Sequence, residues 1–195
     1  MKNKKVMYVV LGVLCFAIVA LSVAFAALSA TLNINFGTVT QSQQSWDVHF
    51  RTESITATAA GTSATGRVCG TVTASGSTAT VGATTLSKPG DKCTWKLTVQ
   101  NTGTIDARLD TITPSSATGT GVTCTIGTAS MVCGNITYKL TSDAAGTTAF
   151  ATGGTLSNTS GEDEIYLVAE YTGTETSSSA VEQSDAKFTL VYNQA

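Results

Sequence analysis

The stretch KPGDKCTWKLTVQNTGTIDARL, Lys88 to Leu109, decides how the rest of the chain is read. Pro89-Gly90-Asp91 is a turn signal, because proline pre-sets φ at one central turn residue and glycine accepts the left-handed conformation at the next. From Lys92 onward, Cys93, Trp95, Leu97 and Val99 alternate with Thr94, Lys96, Thr98 and Gln100. A period of two sends these sets to opposite faces of a strand, so the first is expected to be buried and the second to face water. Asn101-Thr102-Gly103 interrupts the strand, and the next strand buries Ile105, Ala107 and Leu109 while exposing Asp106, Arg108 and Asp110. On this pattern the aspartates are surface scaffold and not a site.

The same alternation runs through most of the chain. TLNINF places Leu32, Ile34 and Phe36 on one side, and SWDVHF does so with Trp46, Val48 and Phe50. NITYKL, EIYLVAEY and AKFTLVY repeat it with Ile136, Tyr138 and Leu140, with Ile165, Leu167, Ala169 and Tyr171, and with Phe188, Leu190 and Tyr192. No stretch after Ala30 carries a helical period. Eight or nine short strands separated by glycine-rich turns predict an all-β fold, an immunoglobulin-like or jelly-roll antiparallel β-sandwich, with a closed barrel as the alternative. Three Ser/Thr/Gly/Ala-rich stretches, around 55 to 66, 73 to 86 and 172 to 180, read equally as loops or as edge strands.

The N-terminus is of another kind. MKNKK is basic, and Val6 to Ala30 is an uncharged run of 25 residues. As a helix it exceeds the roughly 30 Å of a bilayer core, so residues 1–30 are expected to form a hydrophobic helix that acts as an export signal or a retained membrane anchor. Ala24-Phe25-Ala26 and Ala27-Leu28-Ser29 offer the small residues that a signal peptidase reads, which leaves cleavage open. Both outcomes keep the lysines inside and put residues 31–195 outside as one β-domain, either cell-surface or secreted.

Composition narrows the partners. Charged residues are 12% of the chain, against about 25% in ordinary soluble proteins. Beyond the N-terminal lysines, eight basic residues face 13 acidic ones, a formal −5, and the cations do not cluster. Nucleic acid, which demands clustered cations, is not an expected partner. Nor does the sequence suggest a small-molecule substrate or a cofactor.

Of five cysteines, Cys15 lies in the apolar run and reads as a small hydrophobe. Cys69, Cys93, Cys124 and Cys133 fall on the exported, oxidising side, where an even count favours disulfides. In GVTCTIGTASMVCGNITYKL, a two-residue turn at Thr128-Ala129 pairs Gly127 with Ser130 and sets Cys124 opposite Cys133. Opposed strand residues hold their Cβ atoms close to disulfide distance. Elimination then pairs Cys69 with Cys93. A zinc site is the rival reading, but the spacings lack a C-x-x-C pair.

The Pro-Gly-Asp turn, the aromatic-bearing strand and NTGTIDARL together resemble the strand signatures of the TasA/camelysin-like bacterial cell-surface proteins. The layout AFAALSATLNINF, an export segment running straight into a short strand, is similar as well. The resemblance implies a structural role, since TasA-like proteins form extracellular biofilm-matrix fibres in which a strand of one subunit completes the sheet of the next. Thr31 to Thr40 would be the donor strand, and pairing within its own domain is the competing expectation. The four exported cysteines and the long hydrophobic segment depart from that pattern.

Camelysin-type proteins are classed as metallopeptidases, so chemistry has to be sought directly. A zinc hydrolase needs about three protein ligands, commonly with paired histidines. This chain has one histidine, His49, on the solvent side of SWDVHF. No G-x-S-x-G elbow or phosphate loop is present. Glu162-Asp163-Glu164 is the best remaining cation site, against the plainer reading of a solvated strand start. Asn135-Ile136-Thr137 and Asn158-Thr159-Ser160 match the glycosylation sequon, a pattern common by chance. The sequence therefore points to a non-enzymatic extracellular surface or matrix protein without catalytic, cofactor or metal residues. The alternative is an adhesin or glycan-binding module, which would need exposed aromatics, and both tryptophans fall on the apolar sides of their strands.

Overall fold

The computed structural model describes residues 44–61, 66–174 and 182–195. Among these residues the regular structure is entirely strand. In chain order the strands are β1 (Val48–Ile55), β2 (Thr58–Ala60), β3 (Val72–Gly76), β4 (Thr78–Val81), β5 (Lys92–Asn101) and β6 (Ala107–Ser115). Then follow β7 (Cys124–Ile126), β8 (Ser130–Cys133), β9 (Ile136–Thr141), β10 (Thr155–Leu156), β11 (Gly161–Tyr171) and β12 (Lys187–Gln194). The all-β antiparallel expectation holds for the described residues. The helix expected over 1–30 and the strand Thr31 to Thr40 lie outside them.

Nine strands make one antiparallel sheet in the order β4-β3-β1-β5-β11-β9-β8-β7, with β2 also paired to β5. A small sheet has the order β10-β6-β12. The spine of the large sheet is β5, the strand on which the sequence reading turned: β11 pairs with it from Gly161 opposite Asn101 to Glu170 opposite Lys92. Cys93, Trp95, Leu97 and Val99 of β5 are all buried, with Ile165 and Ala169 of β11 beside them. The same core takes Ala107, Leu109 and Ile112 of β6 and Leu156 of β10, and Leu190 and Tyr192 of β12 pack against it. Both sheets thus close over one apolar interior, a sandwich-like arrangement. A smaller cluster of Ala117, Met131 and Cys133 lies under β7 and β8, with Val122, Cys124, Tyr138 and Phe188 around it.

The turns follow their chemistry. Asp91 N–H donates to Lys88 O at 3.0 Å, and Gly90 takes φ +86°, the left-handed second position that glycine supplies without strain. At Asn101-Thr102-Gly103 the incoming chain packs directly on the turn. Thr102 N–H donates to Asp47 O at 3.0 Å and Thr104 N–H to Ser45 O at 2.9 Å. A Cβ on Gly103 would lie 2.6 Å from Ser45 O, so only glycine fits. Asn101 is fully buried and ties the two sheets: its Nδ2 donates to Ile105 O at 2.8 Å and to Leu156 O of β10 at 3.2 Å, while its Oδ1 accepts Gly103 N–H at 3.1 Å. The stretch 73 to 86 resolves into the β3–β4 hairpin, and 55 to 66 contributes β2, with 62–65 outside the described residues.

Three expectations of exposure fail. Thr94 and Thr98, on the side of β5 expected to face water, are buried. Thr94 sits opposite Val168, which is itself fully buried although it lies on the outward side of β11. The loop after β9 covers this patch. A Cβ on Gly146 would lie 3.2 Å from Val168 Cγ2, and Lys92 Nζ donates to Ala145 O at 2.9 Å. Asp91, read as surface, is 0% exposed, because its carboxylate caps the turn that precedes it. Trp46 errs the other way: it precedes β1 and is 45% exposed.

Candidate functional site

The outward face of the large sheet gathers most of the strand-borne charge. Register puts His49 of β1, Gln100 of β5 and Glu162 of β11 in one row. His49 Nδ1 lies 2.8 Å from Asp47 Oδ1, and Gln100 Nε2 lies 2.8 Å from His49 Nε2, so both ring nitrogens are engaged. Thr102 Oγ1 donates to the other Asp47 oxygen at 2.6 Å. That hydroxyl, with His49 second, holds the Asp47 carboxyl below its ordinary value. Beside this row Arg51 reaches Glu53 at 3.4 Å and Glu162 at 3.5 Å, Lys96 pairs with Glu164, and Lys139 donates to Glu170 at 2.8 Å. Arg51, Lys96 and Lys139 are each matched to a carboxylate, and Lys92 to the Ala145 carbonyl, so the face carries a ladder of exposed ion pairs with small individual energies.

The candidate cation run Glu162-Asp163-Glu164 is split by the strand it lies on. Glu162 and Glu164 point outward to Arg51 and Lys96, whereas Asp163 shares the inward side with Ile165. Three carboxylates therefore do not converge, and among the described residues no group of three or more His, Cys, Asp or Glu is placed to hold a metal ion. Burial pushes the Asp163 carboxyl above its ordinary value, with Glu164 adding repulsion. The Tyr192 hydroxyl is enclosed without a hydrogen-bond partner, and burial, reinforced by Asp163, raises it strongly.

Two further polar groups were missed at the level of sequence. Asp91 Oδ2 accepts the N–H groups of Ser87 and Lys88, each at 2.9 Å, and Arg67 Nη1 lies 3.6 Å from its Oδ1. Asp143 accepts the backbone N–H groups of Thr147 and Thr148, which drive its carboxyl far below the ordinary range and clamp the loop that covers Val168. A signal existed for Asp91 in its place after Pro-Gly, where a carboxylate can fold back on the turn's own amides. For Asp163 the signal was its place two residues before Ile165, on the inward side of the same alternation.

Cys69, Cys93, Cys124 and Cys133 come together in two pairs at disulfide distance. Cys69 and Cys93 have Cα atoms 5.7 Å apart, and Cys124 and Cys133 have theirs 4.1 Å apart. Gly127 N–H donates to Ser130 O at 2.8 Å, which sets the two-residue turn and puts Cys124 opposite Cys133 in the β7–β8 ladder. Cys93 fastens the loop before β3 to the central strand, and Cys133 fastens the outermost hairpin. As chemistry, the arrangement offers a lone histidine already bonded to Asp47 and Gln100, with the carboxylates of Asp91 and Asp143 on backbone amides and those of Glu162, Glu164 and Glu170 on cations.

The described residues define a class: an all-β, antiparallel domain with two cysteine pairs at disulfide distance. Comparison with family models, curated proteins and solved structures returns no match for this chain.

Proposed function

We propose that this chain is a non-enzymatic extracellular structural protein of the cell surface or matrix, an immunoglobulin-like or jelly-roll sandwich carried outside by its hydrophobic N-terminus, and that it self-associates by strand exchange. The observation that carries the reading is the small sheet. β12 forms one edge of it, and on the other side β10 pairs only with Ala107 and Arg108 of β6. Among the described residues, then, the outer edge of β12 and the stretch of β6 from Asp110 to Ser115 offer backbone to which a strand can add. Ser45 N–H donates to Thr104 Oγ1 at 2.8 Å, and Ala195 N–H donates to Asp106 O at 2.9 Å, so Ser45 lies close to the C-terminal end of β12. Thr31 to Thr40, with its alternating Leu32, Ile34 and Phe36, is the donor that the TasA/camelysin-like resemblance implies.

The test uses the full chain, exported by its own N-terminal segment and recovered from the cell exterior or in detergent. Electron microscopy is expected to show filaments that disappear when Thr31 to Thr40 is deleted. Strictly monomeric particles at high concentration would overturn the reading. N-terminal sequencing of the same material separates the anchored from the released form. A second reading, the adhesin, is favoured by one observation: Trp46 is a half-exposed aromatic next to the Asp47, His49 and Thr102 polar cluster. Glycan-array binding lost on Trp46→Ala would establish it.

A further inference from the structure

The two outermost strands of the large sheet are built unlike its centre. Ion pairs cross β1, β5, β9 and β11, yet Thr71 to Ser87, which holds β3 and β4, contains no charged residue. Thr111 to Tyr138, which holds β7 and β8, contains none either. Natural sheets usually protect their edges with lysine, proline or a bulge, because an unpaired edge is a template for another chain. Neither β4 nor β7 carries such a residue.

Hydrogen-bond alternation fixes which backbone groups these edges present. On β4, Gly82 N–H donates to Thr71 O, so the bonded pairs run Thr71/Gly82, Thr73/Thr80 and Ser75/Thr78. The N–H and C=O groups of Ala79 and Val81 therefore point away from β3. On β7, Gly127 N–H donates to Ser130 O and Gly134 N–H to Thr123 O, which leaves Cys124 and Ile126 pointing away from β8. Among the described residues each edge thus offers two residues at the same spacing.

We propose that β4 of one copy adds antiparallel to β7 of a second, with Ala79 opposite Ile126 and Val81 opposite Cys124. This rests on the reading that the chain self-associates and supplies a separate contact for it, between the large sheet's edges and not through the N-terminal strand. The register satisfies all four outward N–H and all four outward C=O groups of those residues. It keeps the core-facing sides of the two sheets continuous, since Val81 lies opposite the buried Val72, and Cys124 opposite the buried Cys133. Ile126, 50% exposed in the single chain, gains apolar neighbours in Ala79 and Val81. No charge is stripped of water on either side. Because β4 and β7 terminate the same sheet at opposite ends, the contact is head-to-tail and propagates.

Two substitutions test this in the full exported chain. Val81→Pro removes an outward N–H without touching a β3–β4 bond. Ile126→Lys puts a cation on the other edge at a position already half in water, so folding is preserved and is checked by circular dichroism and melting. Each variant alone is expected to elongate at least tenfold more slowly than the parent by light scattering. An equimolar mixture is expected to stop at dimers in sedimentation, because each partner retains one good edge. If both variants elongate like the parent while deletion of Thr31 to Thr40 abolishes assembly, strand exchange stands and this interface falls. If the parent never assembles, both fall.

Discussion

The main core and the satellite cluster under β7 and β8 are both apolar, yet they are held by different means. Around Trp95 two sheets contribute buried residues from both sides, and the indole Nε1–H, the ring's one polar group, donates to Gly70 O at 2.6 Å. Under the edge hairpin only Ala117, Met131 and Cys133 are fully covered, and the strands above them are three and four residues long. Short edge strands pair weakly, so the hairpin depends on its covalent link far more than β5 does. Burial decides the centre and connectivity decides the margin.

The largest effect expected is at the centre. Trp95→Ala removes the biggest fully buried side chain and leaves a cavity that two sheets cannot fill, at a cost of about 3 to 5 kcal/mol. Denaturant melts should show that loss in one transition for the whole domain. A two-step melt, with the hairpin surviving, would break the claim that one core governs the sandwich.

Next come the disulfides. Replacing Cys69 and Cys93 together by Ala opens a loop of 24 residues, and chain entropy gives about 3.5 kcal/mol; the same change at Cys124 and Cys133, separated by 9, gives about 2.6 kcal/mol. The distributions differ more than the totals. Loss of Cys124–Cys133 should accelerate amide exchange chiefly in β7 and β8, whereas loss of Cys69–Cys93 should lower protection of β5 as well. Equal, global loss of protection in both variants would erase the distinction between centre and margin.

How much of this the sequence carried depends on the neighbours a residue meets. Cys93, Trp95, Leu97 and Val99 alternate and are buried, because a period of two is a property of the strand itself. The Cys124–Cys133 opposition was equally legible, since a two-residue turn fixes register locally. Thr94 and Val168 were not, because the loop that covers them arrives from after β9 and leaves no mark in their own strands. Trp46 obeys the alternation of SWDVHF, but alternation says only which side it faces and not whether anything stands opposite. Asp163 was missed although its alternation with Ile165 was legible: three consecutive acids read as one solvated run, and the pleat turns the middle one inward.

That inward turn gives the smallest and most specific prediction. Asp163 has its pKa raised by burial, so in the folded protein it binds a proton more tightly than in the unfolded chain. Its contribution is fully present in acid and is lost as pH rises through the elevated folded value. Asp47, Asp143, Glu164 and Asp185 have theirs lowered by hydrogen bonds from Thr102, Thr147, Lys96 and Thr118 respectively. Their contributions are present at neutral pH and are lost as pH falls through the lowered values. The two signs separate on the pH axis. On acidification from neutrality, Asp163 takes up its proton first and stability should rise slightly; below the ordinary aspartate value of 3.8 the other four dominate and it should fall. Asp163→Asn should therefore stabilise the protein at neutral pH and remove the upper limb of the profile while leaving the acid limb in place. Melting temperatures of both forms across this range decide the matter: an upper limb that persists in the Asn variant would mean that some group other than Asp163 meets the apolar interior there.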